Sequence, residues 1–354
     1  MNLTLHLTKQ CNMACSYCIT EKHPVRMTEE VLLAACDLAF SSGSSAGLCF
    51  FGGEPLLEKE QIYKAVSYGQ EKSRQTGKPF HCKMTTNGTL LDESFVLYAK
   101  AQQMEIGLSF DGLAQEFCRR YKDGTSTLPV LEKNAKLLLR HMPNTHALMT
   151  IAPDAVSCYA QSVIYLYKLG FRKICATIAY GKRVHWTDQH LRQLQEELQK
   201  LAAFYSCQMK KGAAFYFSPF DGKIRDCIYG TSPASRCHLG LRQMPVAVDG
   251  RLYPCTQFMG EDAYCLGDVF SGVNRDRQQA LIRHSALPET CRTCALKNRC
   301  TNSCGCMNRM ETGDAQRVSP LQCTYERMLI EICDTMAENL HKTCHAQFLQ
   351  HFAP

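Results

Sequence analysis

Three cysteines near the amino end, Cys11, Cys15 and Cys18, constrain this chain more than any other feature. Their spacing, C-x3-C-x2-C, follows directly on Leu3, Leu5 and Leu7, whose alternation reads as a short strand. Three thiolates can hold three irons of a four-iron, four-sulfur cluster and leave the fourth iron without a protein ligand. A metal with an open position is where chemistry occurs, whereas a closed site is structural or carries electrons. Taken alone, the spacing also allows a zinc site short of one ligand. A structural zinc wants four, and the nearby His23 stands at the wrong spacing to be the fourth.

The chain holds 22 cysteines among 354 residues, and 45% of it is apolar. That is enough to bury a full core and to build two domains. It contains no apolar run of about 18 residues, the length that spans a bilayer. The opening stretch MNLTLHLTKQ lacks the basic start and continuous apolar segment of a secretion signal. A cytoplasmic placement is expected, where thiols stay reduced. Metal ligation is therefore the leading use of the ten tightly spaced cysteines, while Cys36, Cys49, Cys158 and Cys175 lie in apolar stretches and read as small core hydrophobes. The formal charge of +7 counts every cysteine as neutral. Three bound clusters would bring it to roughly +2. With no dense Lys/Arg run, neither a nucleic-acid partner nor a membrane is expected.

Residues 1 to about 180 alternate strand-like and helix-like segments. Apolar runs at Leu48–Phe51, Phe80–Thr85, Ile106–Phe110, Ala147–Ile151 and Ile174–Ile178 follow the first strand, with helical stretches at Glu29–Phe40 (capped by Thr28), Lys59–Ser73, Asp92–Gln103 and Ala155–Leu169 between them. Six strand–helix units predict an α/β fold, a partial (β/α)6 TIM-like barrel of parallel strands with right-handed crossovers. CNMACSYC, Gly52-Gly53-Glu54-Pro55, Thr86-Asn87-Gly88 and Asp111-Gly112 each follow one of the first four strands. All then sit at carboxyl ends of strands, the face where barrel active sites assemble. The expected division is a barrel over 1–205, a Gly/Ser/Pro-rich bridge over 206–236, a small Cys-rich domain with a carboxyl-terminal helix over 237–345, and a tail over 346–354. Tyr180, His185 and Asp221 read as ordinary surface groups.

C-x3-C-x2-C with Tyr17 between its last two cysteines, followed by Gly52-Gly53-Glu54-Pro55, resembles the radical S-adenosylmethionine (radical SAM) superfamily. The resemblance implies that the open iron chelates the amino and carboxylate groups of S-adenosylmethionine. One electron then yields methionine and a 5′-deoxyadenosyl radical that abstracts a substrate hydrogen. It also implies roles for single residues. Tyr17 matches the aromatic beside the adenine. Gly52, Gly53 and Glu54 match the motif receiving the methionine amino group, with the Glu54 carboxylate as acceptor. Ser109 matches a polar residue near the ribose and methionine, and its alternative is a plain turn over Ser109-Phe110-Asp111-Gly112. Arg119 or its neighbour Arg120 matches the guanidinium that pairs with the methionine carboxylate.

Cys237-x12-Gly250-x4-Cys255, then Cys291-x2-Cys294-x5-Cys300-x3-Cys304, then Cys323, resembles the SPASM domain. A pair of zinc ribbons is the alternative. The resemblance implies two auxiliary [4Fe-4S] clusters, three in all with the first. Cys237, Cys255 and Cys304 would hold one and Cys291, Cys294, Cys300 and Cys323 the other. For the fourth ligand of the first auxiliary cluster Cys227 is the favoured candidate, ahead of Cys265 and Cys306, with an open iron for a substrate thiolate as the remaining option.

Enzymes of this kind act chiefly on peptides or proteins, so the expected reaction is hydrogen abstraction from a ribosomally made peptide, forming a thioether or other crosslink. The alternative within the same chemistry is an anaerobic sulfatase-maturating enzyme, which oxidises a Cys or Ser to formylglycine. That branch carries an aspartate base just after the cysteine of G-x4-C, where this chain has Thr256, a side chain that takes no proton at neutral pH. Since the chain begins directly with the first barrel strand, either a separate leader-peptide-binding protein or recognition by the bridge and barrel mouth is expected, together with an electron donor such as a flavodoxin or ferredoxin. A non-catalytic metal-binding protein is the reading from another class. No catalytic acid or base is legible.

Overall fold

In the computed structural model the alternating amino-terminal residues form strand β1 (Asn2–His6), with Leu3 and Leu5 fully buried. The structure describes residues 1–230, 239–241, 243–284, 289–301 and 304–353, the side chains of residues 283 and 284 excepted. Along the barrel follow α1 (Glu29–Ser41), β2 (Ala46–Phe51), α2 (Lys59–Thr76), β3 (Phe80–Thr86), α3 (Glu93–Ala101), β4 (Glu105–Ser109), α4 (Gln115–Cys118), α5 (Leu128–His141), β5 (His146–Ile151), α6 (Tyr159–Leu169) and β6 (Lys173–Ile178). Thr28 caps α1 by accepting from the Val31 N–H, and Asp92 caps α3 by accepting from that of Phe95. Both side chains satisfy N–H groups that the first helical turn leaves without partners. Asp92, expected as the first residue of its helix, is thus the cap.

In the main sheet every pair is parallel, with β6-β5-β4-β3-β2-β1 side by side, Tyr216–Phe217 beside β6 and Gln243–Val246 beside β1. Leu3 stands opposite Leu48 and Leu5 opposite Phe50, so the first two strands present one apolar set to the core. The six expected strands are present, and two short edge strands extend them: β7 (Tyr216–Phe217), after α7 (Asp188–Lys210), and β8 (Gln243–Val246), after α8 (Ser218–Tyr229). Two residues, and a QMPV segment containing proline, carry no periodicity that could announce a strand. Pro245 is tolerated because β8 is an edge. β7 and β8 lie at opposite ends of the strand order, so the sheet is a partial barrel.

β8 belongs to the Cys-rich half yet pairs with β1, so the sheet crosses the expected boundary near residue 237. Beyond it come β9 (Gly267–Asp268), β10 (Gly272–Val273), α9 (Arg275–His284), α10 (Gly305–Thr312), α11 (Pro320–Thr343) and α12 (His345–Phe352). Residues 346–354, expected as a tail, are mostly helix α12. Phe348 and Phe352, one turn apart, are both buried there. Asp221, expected at the surface, is buried and accepts from the Phe217 N–H at 2.7 Å and pairs with His351 at 2.6 Å.

Helix α11 packs on α7 and α8 through Tyr325, Leu329, Cys333, Met336 and Leu340, all buried. Between α8 and α11, Lys223 donates to Glu326 at 2.6 Å and to the Arg299 carbonyl at 2.9 Å. Glu326 also accepts from the Thr301 N–H and hydroxyl, each at 2.8 Å. The pair thus ties both helices to the segment around Cys300. Only 7% and 6% of the two side chains is exposed, so neither charge has water to fall back on. Lys223→Met, which leaves the carboxylate buried alone, should cost about 3–5 kcal/mol of stability. A lower denaturant midpoint at unchanged slope would report it, and a loss under about 1 kcal/mol would show that the pair is dispensable.

Candidate active site

The loop after β1 carries Cys11, buried, and Cys15 and Cys18, half-buried. Each sulfur lies within reach of a donor or a charge. The Met13 N–H donates to Cys11 Sγ at 3.4 Å and Asn87 Nδ2 at 3.7 Å, while Lys22 Nζ donates to Cys18 Sγ at 3.0 Å. Burial pushes the Cys18 thiol up, but Lys22 outweighs it and holds the group below the usual thiol range. Burial raises Cys15, against the pull of Arg119.

The Gly-Gly-Glu-Pro turn after β2 presses directly on this loop. Gly52 has φ +132°, and a Cβ there would stand 2.5 Å from the Thr8 carbonyl oxygen. A Cβ on Gly53 would meet the Gln10 carbonyl oxygen at 1.9 Å, and the Glu54 N–H donates to that same oxygen at 2.8 Å. The glycines thus serve first to seat this turn against the residues leading into Cys11. The Glu54 carboxylate is also occupied within the protein. It is fully buried and accepts from Thr86 Oγ1 at 2.6 Å, the Asn87 N–H at 2.7 Å and the Leu56 N–H at 3.0 Å. Burial raises its pKa, against those three donors. Expected as an acceptor for a ligand's amino group, the side chain also locks the turn after β2 to the turn after β3, and its Oε2 accepts from the Asn87 N–H alone.

Tyr17, in the cysteine loop, donates to Asp111 Oδ2 at 2.6 Å, and Arg119 Nη1 donates to the Tyr17 hydroxyl at 3.0 Å. Asp111 and Arg119 are buried, and the Thr150 N–H completes the aspartate at 2.9 Å. Burial raises the Asp111 pKa, with Arg119 and Tyr17 opposing it. Burial disfavours the Arg119 charge, but Tyr17, Cys15 and Asp111 hold it firmly protonated. Arg119 Nε has no partner and is inaccessible, an orphan donor beside the cysteine loop. The two arginines stand in different surroundings. Arg120 is exposed, donating to the Glu116 and Gly124 carbonyls and pairing with the Glu116 side chain at 3.3 Å. Ser109 ends β4, half-buried, beside this group. Asp111 escaped the sequence reading as part of a turn, since its partner lies 94 residues away.

The remaining patterned cysteines fall into two groups. Cys291 lies near Cys294 and Cys323, while Arg327 donates to Cys323 and lies near Cys294 and Cys300. In the other group Cys304 and Cys306 have sulfurs 3.4 Å apart, and Cys306 hydrogen-bonds Cys255. Cys237 lies outside the described residues. Cys227 is exposed at the end of α8, with Arg299 for a charged neighbour, and Cys265 donates its thiol to the Gly267 carbonyl at 3.4 Å. Among the described residues no three His, Cys, Asp or Glu side chains are placed to hold one metal ion. A cluster spreads its thiolates over four irons rather than gathering them on one atom.

A cavity of about 880 Å³ joins the halves, lined by His6, Tyr17, Tyr180, Thr256, Met259 and Met310 among others. Tyr180, expected at the surface, lies in its wall with its hydroxyl 3.7 Å from Cys306 Sγ. Burial, aided by Lys9, lowers His6 to about 4, so its ring is neutral at pH 7. Its Nε2, like Arg119 Nε, is buried without a partner.

This donor set fits an iron–sulfur cluster and a carboxylate-bearing cofactor. The loop supplies three thiols free of disulfides, and the orphan Arg119 Nε supplies an unsatisfied cationic donor. Residues 5–155 match the sequence profile of the radical SAM superfamily, which takes in the cysteine loop, the glycine turn and Arg119. This chain carries a radical SAM domain. It is 22% identical over 319 residues to a cysteine-type anaerobic sulfatase-maturating enzyme of Clostridium perfringens, across 83% of this chain and 85% of that protein. A serine-type anaerobic sulfatase-maturating enzyme of Bacteroides thetaiotaomicron is 24% identical over 352 residues, across 86% and 82%. In fold the radical SAM enzyme superposes on native anSMEcpe with bound AdoMet at a TM-score of 0.83, with 20% identity over 96% of this chain and 99% of that one. SuiB of Streptococcus suis bound to S-adenosylmethionine superposes at 0.66, with 14% identity over 91% and 76%. The partial barrel and the SPASM-like Cys-rich region follow, and the readings of the first cysteine loop as a zinc site and of the chain as a non-catalytic metal binder are set aside. No helix among the described residues is long and apolar enough to cross a membrane.

Proposed function

We propose that this enzyme oxidises a cysteine or serine side chain of a peptide or protein by two electrons, as the names of its sulfatase-maturating relatives indicate for them. The observation that carries the reading is the cavity, where Tyr17 of the cysteine loop shares a wall with Thr256 and Tyr180, next to Cys255 and Cys306. A peptide side chain entering there reaches both the hydrogen-abstracting centre and an electron acceptor. Two solved structures of one relative in fold, native anSMEcpe with bound AdoMet and either the Cp18Cys or the Kp18Cys peptide, hold a peptide.

S-adenosylmethionine and the cluster on Cys11, Cys15 and Cys18 supply a carbon radical when a flavodoxin or ferredoxin delivers an electron. Arg119 holds the cofactor carboxylate, and Tyr17 and Asp111 fix the guanidinium for it. The turn at Gly52 and Gly53, seated on the Thr8 and Gln10 main chain, together with Glu54 would receive the cofactor amino group. In the substrate, the β-carbon gives up one hydrogen atom, its thiol or hydroxyl gives up a proton, and one further electron leaves for an auxiliary cluster. A cysteine then becomes a thioaldehyde, which water converts to an aldehyde with release of sulfide, while a serine becomes the aldehyde directly.

Thr256 favours a second reading. It lines the cavity where that proton must be taken and cannot accept it. A crosslinking enzyme acting on a ribosomal peptide, aided by a separate leader-binding protein, begins with the same abstraction. The test incubates reduced enzyme and S-adenosylmethionine with a synthetic peptide carrying a single Cys or Ser. The expected product is an aldehyde captured by a hydrazide reagent, with a higher yield from Thr256→Asp. Loss of two hydrogens and a free thiol in a multi-cysteine peptide, without aldehyde, would replace this reading with the crosslinking one. Cofactor cleavage with neither product would remove both.

A further inference from the structure

Few groups on the cavity wall are free to take a proton from a substrate. Glu21 is exposed, with His23 at 3.5 Å, while Asp249 pairs with Arg251 at 2.8 Å and Glu261 receives both terminal nitrogens of Arg309. Burial pushes the hydroxyls of Tyr17 and Tyr180 up, so both stay protonated. Thr256 accepts no proton at neutral pH. His6 differs from all of these. It ends β1 on the cavity wall, 4% exposed, with its ring edge-on to Phe51 and the centroids 5.1 Å apart. Neither ring nitrogen hydrogen-bonds another described residue. A buried polar group without a partner is uncommon, and beside a cavity it points to a ligand. Because the ring is neutral at pH 7, one of its nitrogens offers a lone pair.

We propose that His6 is the base that takes the thiol or hydroxyl proton of the substrate, the task that Thr256 cannot perform. The proposal rests on the reading that this enzyme oxidises a cysteine or serine side chain by two electrons. The β-carbon first gives a hydrogen atom to the adenosyl radical. The carbon radical so formed gives one electron to an oxidised iron–sulfur centre and becomes a protonated thiocarbonyl or carbonyl, a strong acid. Its proton passes to the His6 lone pair, leaving a neutral thioaldehyde or aldehyde. A ring with a pKa of about 4 is basic enough for so acidic a donor. Burial and the nearby Lys9 disfavour the imidazolium, so the proton is handed on to water and the ring is ready again.

The test uses the full chain, reconstituted with iron and sulfide, reduced with dithionite and given S-adenosylmethionine and the single-cysteine peptide. His6→Gln keeps a polar side chain but no base. It should still form 5′-deoxyadenosine, while the aldehyde made per 5′-deoxyadenosine falls about 100-fold, the share a positioned base commands. Affinity of the unreduced protein for a fluorescent peptide, read by anisotropy, should not change, since the loss lies in turnover and not in binding. Adding Thr256→Asp to His6→Gln should recover most of the aldehyde, because a carboxylate then stands on the same wall. A merely structural defect would not be repaired in this way. His6→Asn, which is shorter, serves the same comparison if His6→Gln loses iron. An unchanged aldehyde ratio in these variants, a parallel fall in 5′-deoxyadenosine, or no recovery with Thr256→Asp would overturn the assignment while the oxidation reading stands. Absence of aldehyde from the unsubstituted enzyme would remove that reading, and the assignment with it.

Discussion

Cys15→Ala abolishes formation of 5′-deoxyadenosine from S-adenosylmethionine, by more than the 10- to 100-fold that loss of an outer partner of a metal site brings. Cys15 is the middle sulfur of the loop and is coupled to both others and to Arg119. Its removal leaves two thiolates for a cluster that already has one iron unligated by protein, too few to retain it. The iron content should fall from about twelve to about eight, with the auxiliary spectra preserved. Chromatographic quantification of 5′-deoxyadenosine under dithionite, beside iron analysis, measures both effects. An undiminished yield would be incompatible with this loop as the reacting centre.

Gly53→Ala is expected to be nearly as damaging, although it removes no ligand. The new methyl group would stand 1.9 Å from the Gln10 carbonyl oxygen and 2.5 Å from its carbon, atoms of the main chain one residue before Cys11. No side-chain rotation relieves such a clash, so the turn and the cysteine loop must part. The Glu54 N–H then loses its bond to Gln10, and the lock from Glu54 to Thr86 and Asn87 shifts with it. A displacement of about 1 Å at a reacting centre can cost about 100-fold in rate. Cofactor affinity by equilibrium dialysis and 5′-deoxyadenosine yield should both fall by about that factor. Gly77→Ala is the control: its φ of +69° adds backbone strain that Gly53 does not carry, but its Cβ would meet nothing within 4 Å. Equal behaviour of the two variants would mean that the contact with Gln10 does not matter.

The barrel was legible because its signals are local. Leu3, Leu5 and Leu7 alternate, Thr28 and Asp92 cap helices in the adjoining turn, and the apolar runs fall within a residue or two of β2 to β6. The cysteine loop was legible because its ligands lie within eight residues of one another. What escaped depends on contacts between distant segments. Tyr17, Asp111 and Arg119 come together only when the turn after β4 closes over the first loop. Glu54 gave no sign that its carboxylate would be consumed by Thr86 and Asn87. Tyr180 and Asp221 looked like surface groups because nothing local reveals that Cys306 and His351 will cover them. Strands β7 and β8 are held by their neighbours rather than by any pattern of their own.

The pairing of Asn2 with Gln243 and of Leu5 with Val246 has a consequence for how the protein is born. β1 leaves the ribosome about 240 residues ahead of β8, so one of its flanks stays bare until that later segment has been synthesised. Until then the strand that feeds the iron-binding loop is an uncovered edge, prone to pairing with another nascent chain. Iron delivered during translation would meet a half-supported cradle, so durable loading has to wait for the carboxyl-terminal half to arrive.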